Sequence, residues 1–125
     1  MKPSLRQPAL PYRVFVYGTL RQGGTNHRLL AGARHLGGWI TPPSYTLYDL
    51  GSYPGAMIGG RTPVVGEVYA VDARTLARLD HLEDYPRLYD RIPLQTPWGA
   101  AWMYVLRHRP RRARPLPSGD WMAST

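Results

Sequence analysis

Glycine and proline, 13 of each in 125 residues, cut this chain into runs too short for long helices, with one exception. That exception is the stretch Ala73–Leu82, where Leu76, Leu79 and Leu82 recur at the helical period. Asp72 ahead of it is a helix-capping residue type, and Pro86 beyond it stops a helix. Elsewhere the β-branched and aromatic runs 12–17, 33–41, 45–49, 56–58, 64–71, 89–96 and 100–107 are strand-sized. Turn chemistry separates them at Pro42-Pro43, at Gly51-Ser52-Tyr53-Pro54-Gly55 and at Pro97-Trp98-Gly99. A second, short helix is expected through Leu29 and Leu30, capped by Thr25 or Asn26. The pattern predicts a mainly β domain whose small sheet is closed or nearly closed, with a helix packed on it.

Three segments follow. Residues 1–11, with Pro3, Pro8 and Pro11, read as a flexible N-terminal arm, and residues 12–109 as one compact domain large enough to bury a core. Residues 110–125 read as a basic Pro/Arg-rich tail ending in Gly119-Asp120-Trp121. The chain carries a formal charge of +8, and Arg107, Arg109, Arg111, Arg112 and Arg114 concentrate it near the end. Such a cluster raises association with nucleic acid through phosphate contacts. Trp121 is the only aromatic after Tyr104, however, and single-strand binders interleave rings with charge, so a solvated segment is the favoured reading. Absence of cysteine excludes a disulfide framework, a thiolate metal site and a Cys nucleophile, and suits a reducing, cytoplasmic interior. No signal core opens the chain, and no run of about 18 apolar residues occurs, so no membrane association is expected.

Two motifs carry chemistry. Tyr17-Gly18-Thr19-Leu20 follows the strongest strand, and a strand that ends in glycine can turn successive backbone N–H groups into a cavity, where they hold anionic oxygens. The loop lacks lysine and every nucleotide-binding glycine pattern, so the anion in view is a carboxylate. Glu83 lies four residues after Leu79 and seven after Leu76, on or beside the helix stripe that faces the core. It is therefore either a buried partner of Arg87 or Arg91, or a working base whose pKa rises through burial and the negative end of the helix dipole. Tyr89 is either a core aromatic or a donor to a ligand oxygen. The four histidines show no ligand spacing, so neither a metal nor a cofactor is expected.

Taken in order, Val16-Tyr17-Gly18-Thr19-Leu20-Arg21 with Gly23-Gly24 and Asn26-His27, then Leu79 through Pro86 and Tyr89-Asp90-Arg91, resemble the γ-glutamylcyclotransferase-like family, which includes the AIG2-like and γ-glutamylamine cyclotransferase proteins. Gly66-Glu67-Val68-Tyr69, the run from Ala101 to Val105 and Pro117 through Trp121 are similar to its small bacterial members. The resemblance implies an α+β fold, a small mixed β-barrel with peripheral helices. It also implies cyclisation of a γ-glutamyl amine or amino acid to 5-oxoproline with release of the amine. On that resemblance Glu83 falls on the catalytic glutamate, while Tyr17, Gly18, Thr19 and Leu20 match the substrate-binding loop and Tyr89 a tyrosine of the site. Asp84 stands where many relatives carry glycine. A binding module for a small carboxylate on the same scaffold is the competing reading. Oligomeric state is not readable from these residues.

Overall fold

The computed structural model describes residues 9–124, so the arm expected over residues 1–11 falls almost wholly outside the described residues. Chain order is β1 (Tyr12–Val16), a 3-10 turn (His27–Leu30), β2 (Arg34–Ile40), β3 (Tyr45–Asp49), β4 (Pro54–Ile58), β5 (Val65–Val71), α1 (Ala73–Leu82), β6 (Tyr89–Thr96), β7 (Gly99–Leu106), β8 (Arg114–Pro115) and a final 3-10 turn (Met122–Ser124). Five strands form one sheet in the order β2-β5-β1-β7-β6, and three form a second in the order β4-β3-β8. Every pairing is antiparallel except β1 with β7, which makes the larger sheet mixed. Among the described residues the ladders do not close into a barrel: β2 and β6 end the larger sheet as edges. The expected ring is thus replaced by two sheets and one α-helix. No helix among the described residues is long and apolar enough to cross a membrane.

The strand read from the sequence as buried on both faces is the middle of the larger sheet. Val14, Phe15 and Val16 are all buried, and alternation sends them to opposite sides. Val14 and Val16 pack in one cluster with Leu76 and Leu79 of α1; Phe15 and Tyr17 pack in the other with Leu47 and Ala56 of the second sheet. Burying an aliphatic side chain of this size stabilises by about 2 kcal/mol, so Leu76 and Leu79 together fasten α1 to the sheet.

The segment expected to be a basic tail is joined to this body. Its arginines at 109, 111, 112 and 114 are exposed, as the sequence suggests. Between them and the end, Arg114–Pro115 pairs with β3, Leu116 and Trp121 enter the core, and the Gly119 carbonyl accepts the Val65 N–H at 2.8 Å. A Cβ at Gly119 would lie 1.8 Å from the Pro63 carbonyl, so this close approach requires glycine. Alternation of charge with proline hid the two buried residues from a compositional reading. The 3-10 turn differs too: Asn26 holds its cap position, but its side chain donates to Thr19 Oγ1 at 3.0 Å rather than to the turn.

α1 begins as expected, with Asp72 accepting the Thr75 N–H at 2.7 Å. Its end is a Schellman turn: Asp84 N–H donates to the His81 carbonyl at 3.1 Å and Tyr85 N–H to the Asp80 carbonyl at 2.9 Å. That turn needs a left-handed residue just past the cap, and Asp84 occupies it with φ 52°. Glu83 is the cap itself, held between two fixed turns of backbone. A glycine fits the left-handed region without the Cβ penalty, and the Asp84–Arg87 ion pair is exposed and contributes little. Asp84→Gly is therefore expected to stabilise the fold by about 0.5–1 kcal/mol, read as a rise of a few degrees in Tm by calorimetry. A fall in Tm would show that the aspartate side chain, not the backbone, sets this turn.

Candidate active site

A cavity of about 330 Å³ opens where β1 ends, between the loop that leads into β4, the end of α1 and the start of β6. Its walls include Gly18, Thr19 and Leu20 on one side and Glu83, Leu88 and Tyr89 on the other. Gly18 is necessary here because a Cβ would come within 2.6 Å of the Pro54 ring. The loop after it folds back on itself: Arg21 N–H donates to the Gly18 carbonyl at 3.1 Å and Asn26 N–H to the Thr19 carbonyl at 2.9 Å. Among the described residues, the N–H groups of Gly18, Thr19 and Leu20 have no acceptor in the chain. Because these three residues line the cavity, their N–H groups are candidates for contact with an anion there.

The loop is anchored from outside. Glu67 of β5 accepts the Gln22 N–H at 3.0 Å and the Tyr69 hydroxyl at 2.8 Å, and lies 3.4 Å from Arg21. Arg21 also pairs with Asp120 at 2.7 Å. The second glutamate of the chain is thus fully engaged in holding the cavity wall. Asp120 comes from the segment read as a tail.

Glu83 is partly buried against the cavity, and neither arginine considered as its partner reaches it. Arg87 pairs with Asp84, and Arg91 pairs with Asp80 through Nη1 at 2.5 and 2.7 Å. Arg91 is also held flat between the rings of Tyr85 and Trp102, 4.7 Å from each centroid. The Tyr104 hydroxyl donates to Asp80 Oδ1 at 2.7 Å. Among the described residues no ion pair or hydrogen bond reaches the Glu83 carboxyl, and burial pushes its pKa up to about 7. Desolvation accounts for the rise; Asp84, despite its proximity in sequence, turns its carboxylate to Arg87.

Every residue predicted for the site, Tyr17, Gly18, Thr19, Leu20, Glu83 and Tyr89, borders this one cavity. The two tyrosines do so mainly as scaffold. The Tyr17 hydroxyl donates to the Tyr104 carbonyl at 2.8 Å and accepts the Ala56 N–H at 2.9 Å; the Tyr89 hydroxyl donates to the Pro54 carbonyl at 2.8 Å. Burial raises both phenol pKa values well above the ordinary range, so each remains a neutral donor. Tyr53 and Pro54 also stand in the wall, within the glycine-rich stretch 51–60 that the sequence suggests as part of a pocket rim, whereas Leu88 and Tyr104 were missed because they lie in ordinary loop and strand sequence. Among the described residues no group of three or more His, Asp or Glu side chains is arranged to hold a metal ion.

Comparison with known proteins agrees with this geometry. Residues 14–123 match the family model for γ-glutamyl cyclotransferase, AIG2-like. The chain is 44% identical over 110 residues to the Escherichia coli K12 γ-glutamylcyclotransferase family protein YtfP, covering 88% of this chain and 96% of that one. It is 37% identical over 103 residues to the γ-L-glutamyl-butirosin B γ-glutamyl cyclotransferase of Niallia circulans, covering 74% of this chain and 65% of that protein. Among solved structures, the crystal structure of PH0828 from Pyrococcus horikoshii superposes with a TM-score of 0.80 at 33% identity, covering 90% of this chain and 92% of that one. A match that spans both the Gly18 loop and Glu83, at these identities, means that the chain belongs to the γ-glutamyl cyclotransferase, AIG2-like family.

Proposed function

We propose that the protein cyclises a γ-glutamyl compound to 5-oxoproline and releases the amine, with Glu83 moving the proton. The observation that carries this reading is a carboxyl with a pKa near 7 and no partner among the described residues, in the same small cavity as three successive backbone N–H groups with no acceptor among those residues. The N–H groups of Gly18, Thr19 and Leu20 suit the substrate's α-carboxylate. Anchored there, the glutamyl chain folds so that its α-amino nitrogen meets its own γ-carbonyl carbon. Ring closure is intramolecular, so this positioning supplies much of the rate.

The balance of the step is simple. The nitrogen–carbon bond of the lactam forms, Glu83 takes the proton that the amino group must lose, and the γ-amide C–N bond breaks as Glu83 returns that proton to the departing nitrogen. A carboxyl with a pKa near the working pH can serve in both directions. The cyclotransferase names borne by relatives, including one acting on γ-L-glutamyl-butirosin B, support the same chemistry.

Glu83→Gln is expected to lower kcat for 5-oxoproline formation by about 10²–10⁴-fold, the usual contribution of a general base, as followed by mass spectrometry. Full turnover in the variant would remove Glu83 from this role. In the parent protein kcat/KM should climb about tenfold per pH unit on the acid side and level off above about 7, where the carboxylate form dominates. The same group makes a stability prediction of opposite sign. A carboxyl whose pKa is raised from 4.5 to about 7 by folding supports the fold fully below 4.5, and that support is lost as pH rises through 7. Denaturant titrations should therefore show the stability of Glu83→Gln relative to the parent improving by about 3 kcal/mol between acid pH and pH 8.

A further inference from the structure

We infer that the cavity is built for γ-glutamyl derivatives of neutral, apolar amines and discriminates against leaving groups that carry a carboxylate or an ammonium. This rests on the cyclotransfer reading above. Six large hydrophobic side chains are exposed among the described residues, and three of them, Tyr53 (39%), Leu82 (37%) and Leu88 (41%), stand together at this one cavity. Exposed apolar side chains scattered singly carry no message, but a concentration at a cavity mouth marks a binding wall. Leu82 is the instructive one. It shares the helical period of Leu76 and Leu79, yet those two are buried beneath the helix while Leu82 opens onto the cavity.

Charge points the same way. Among the described residues lining the cavity, Glu83 alone carries a formal charge, with no arginine, lysine or histidine beside it, although the chain as a whole is strongly basic. The α-carboxylate of the glutamyl part has the N–H groups of the Gly18 loop to receive it. A second carboxylate on the leaving group has no cationic receiver among the described lining residues, only the neutral side chains of Thr25, Asn26 and Ser52. It would meet apolar side chains and the negative charge of Glu83. Arg87 precedes Leu88 but does not line the cavity, and its guanidinium is taken by Asp84. A cationic leaving group fares little better, since its only counter-charge would be the carboxyl that must exchange the proton. Burying an unpaired charge costs far more than burying an alkyl chain, which gains from Tyr53, Leu82 and Leu88.

The test is a matched set of three substrates that differ only in the leaving group: γ-L-glutamyl-n-pentylamide, γ-L-glutamyl-norleucine, which adds a carboxylate, and γ-L-glutamyl-cadaverine, which adds an ammonium. With 5-oxoproline as readout, kcat/KM for the pentylamide should exceed the other two by at least about tenfold. Leu88→Arg, at an exposed position where folding is readily checked by circular dichroism, should move the ratio toward the norleucine compound by about tenfold. Tyr53→Ser should flatten the rise of kcat/KM with alkyl length from methylamide to pentylamide. Equal or faster turnover of the norleucine or cadaverine compound would overturn the inference while leaving cyclotransfer intact. Failure of all three substrates to yield 5-oxoproline, with the protein folded, would instead remove the cyclotransfer reading and this inference with it.

Discussion

Everything distinctive about the site depends on Arg91 being fastened to a carboxylate other than Glu83. Two rings flank its guanidinium and Asp80 takes Nη1 from below, with the Tyr104 hydroxyl completing that carboxylate's contacts. The arrangement has a cost, for Arg91 Nε is buried without a partner among the described residues. Were the same arginine turned to Glu83, the attraction would favour the charged carboxylate and pull its pKa down rather than let burial push it up. The Asp80 contact thus does two things at once. It ties the last turn of α1 to β6 and β7, and it holds the Arg91 guanidinium to a carboxylate other than Glu83.

The opposite wall is rigid for a different reason. The Tyr17 hydroxyl bridges a carbonyl of β7 and an N–H of β4, so one phenol joins the two sheets directly behind the cavity. The Tyr89 hydroxyl reaches the Pro54 carbonyl, and the Pro54 ring closes on Gly18. The strand end that presents the free N–H groups is therefore set by both sheets together. Glu67, Arg21 and Asp120 fix the far side of the same loop, which makes the C-terminal segment part of the cavity's foundation although none of it faces the cavity.

How much of this was legible in the sequence depends on the range of the interaction. Local signals worked. The period of Leu76 and Leu79, the cap at Asp72 and the apolar run 14–16 located α1 and the central strand within a residue or so. The two motifs of the site were legible as well, because a glycine after a strand and a glutamate at a helix end are features of contiguous residues. What failed was anything that depends on distant pairing. The open sheets in place of a ring, the two-residue strand at Arg114–Pro115 and the Arg21–Asp120 pair across 99 positions leave no mark in local composition. Asp84 lies between these cases. The resemblance marked it as standing where many relatives carry glycine, and the left-handed backbone at this position is the physical reason that glycine suits it.

On the proposed reading, the manner in which the cavity would receive an anion follows from the same electrostatic requirement. A chain of net charge +8 has arginine to spare, and an arginine at the Gly18 loop would bind a carboxylate strongly and bidentately. It would also place a full positive charge in a small, partly dry space with Glu83, where the attraction would stabilise the carboxylate and weaken it as a base. Backbone N–H groups avoid that conflict. Their dipoles are directed along the loop and fall off faster with distance than a charge does, so they can hold one carboxylate while leaving the other near pKa 7. The exposed arginines give the protein a basic surface, of the kind that draws anions toward a protein before contact. On the cyclotransfer reading, keeping the cations outside this cavity and the dipoles inside it would separate attraction from catalysis, and among the described residues that line it there is no basic side chain.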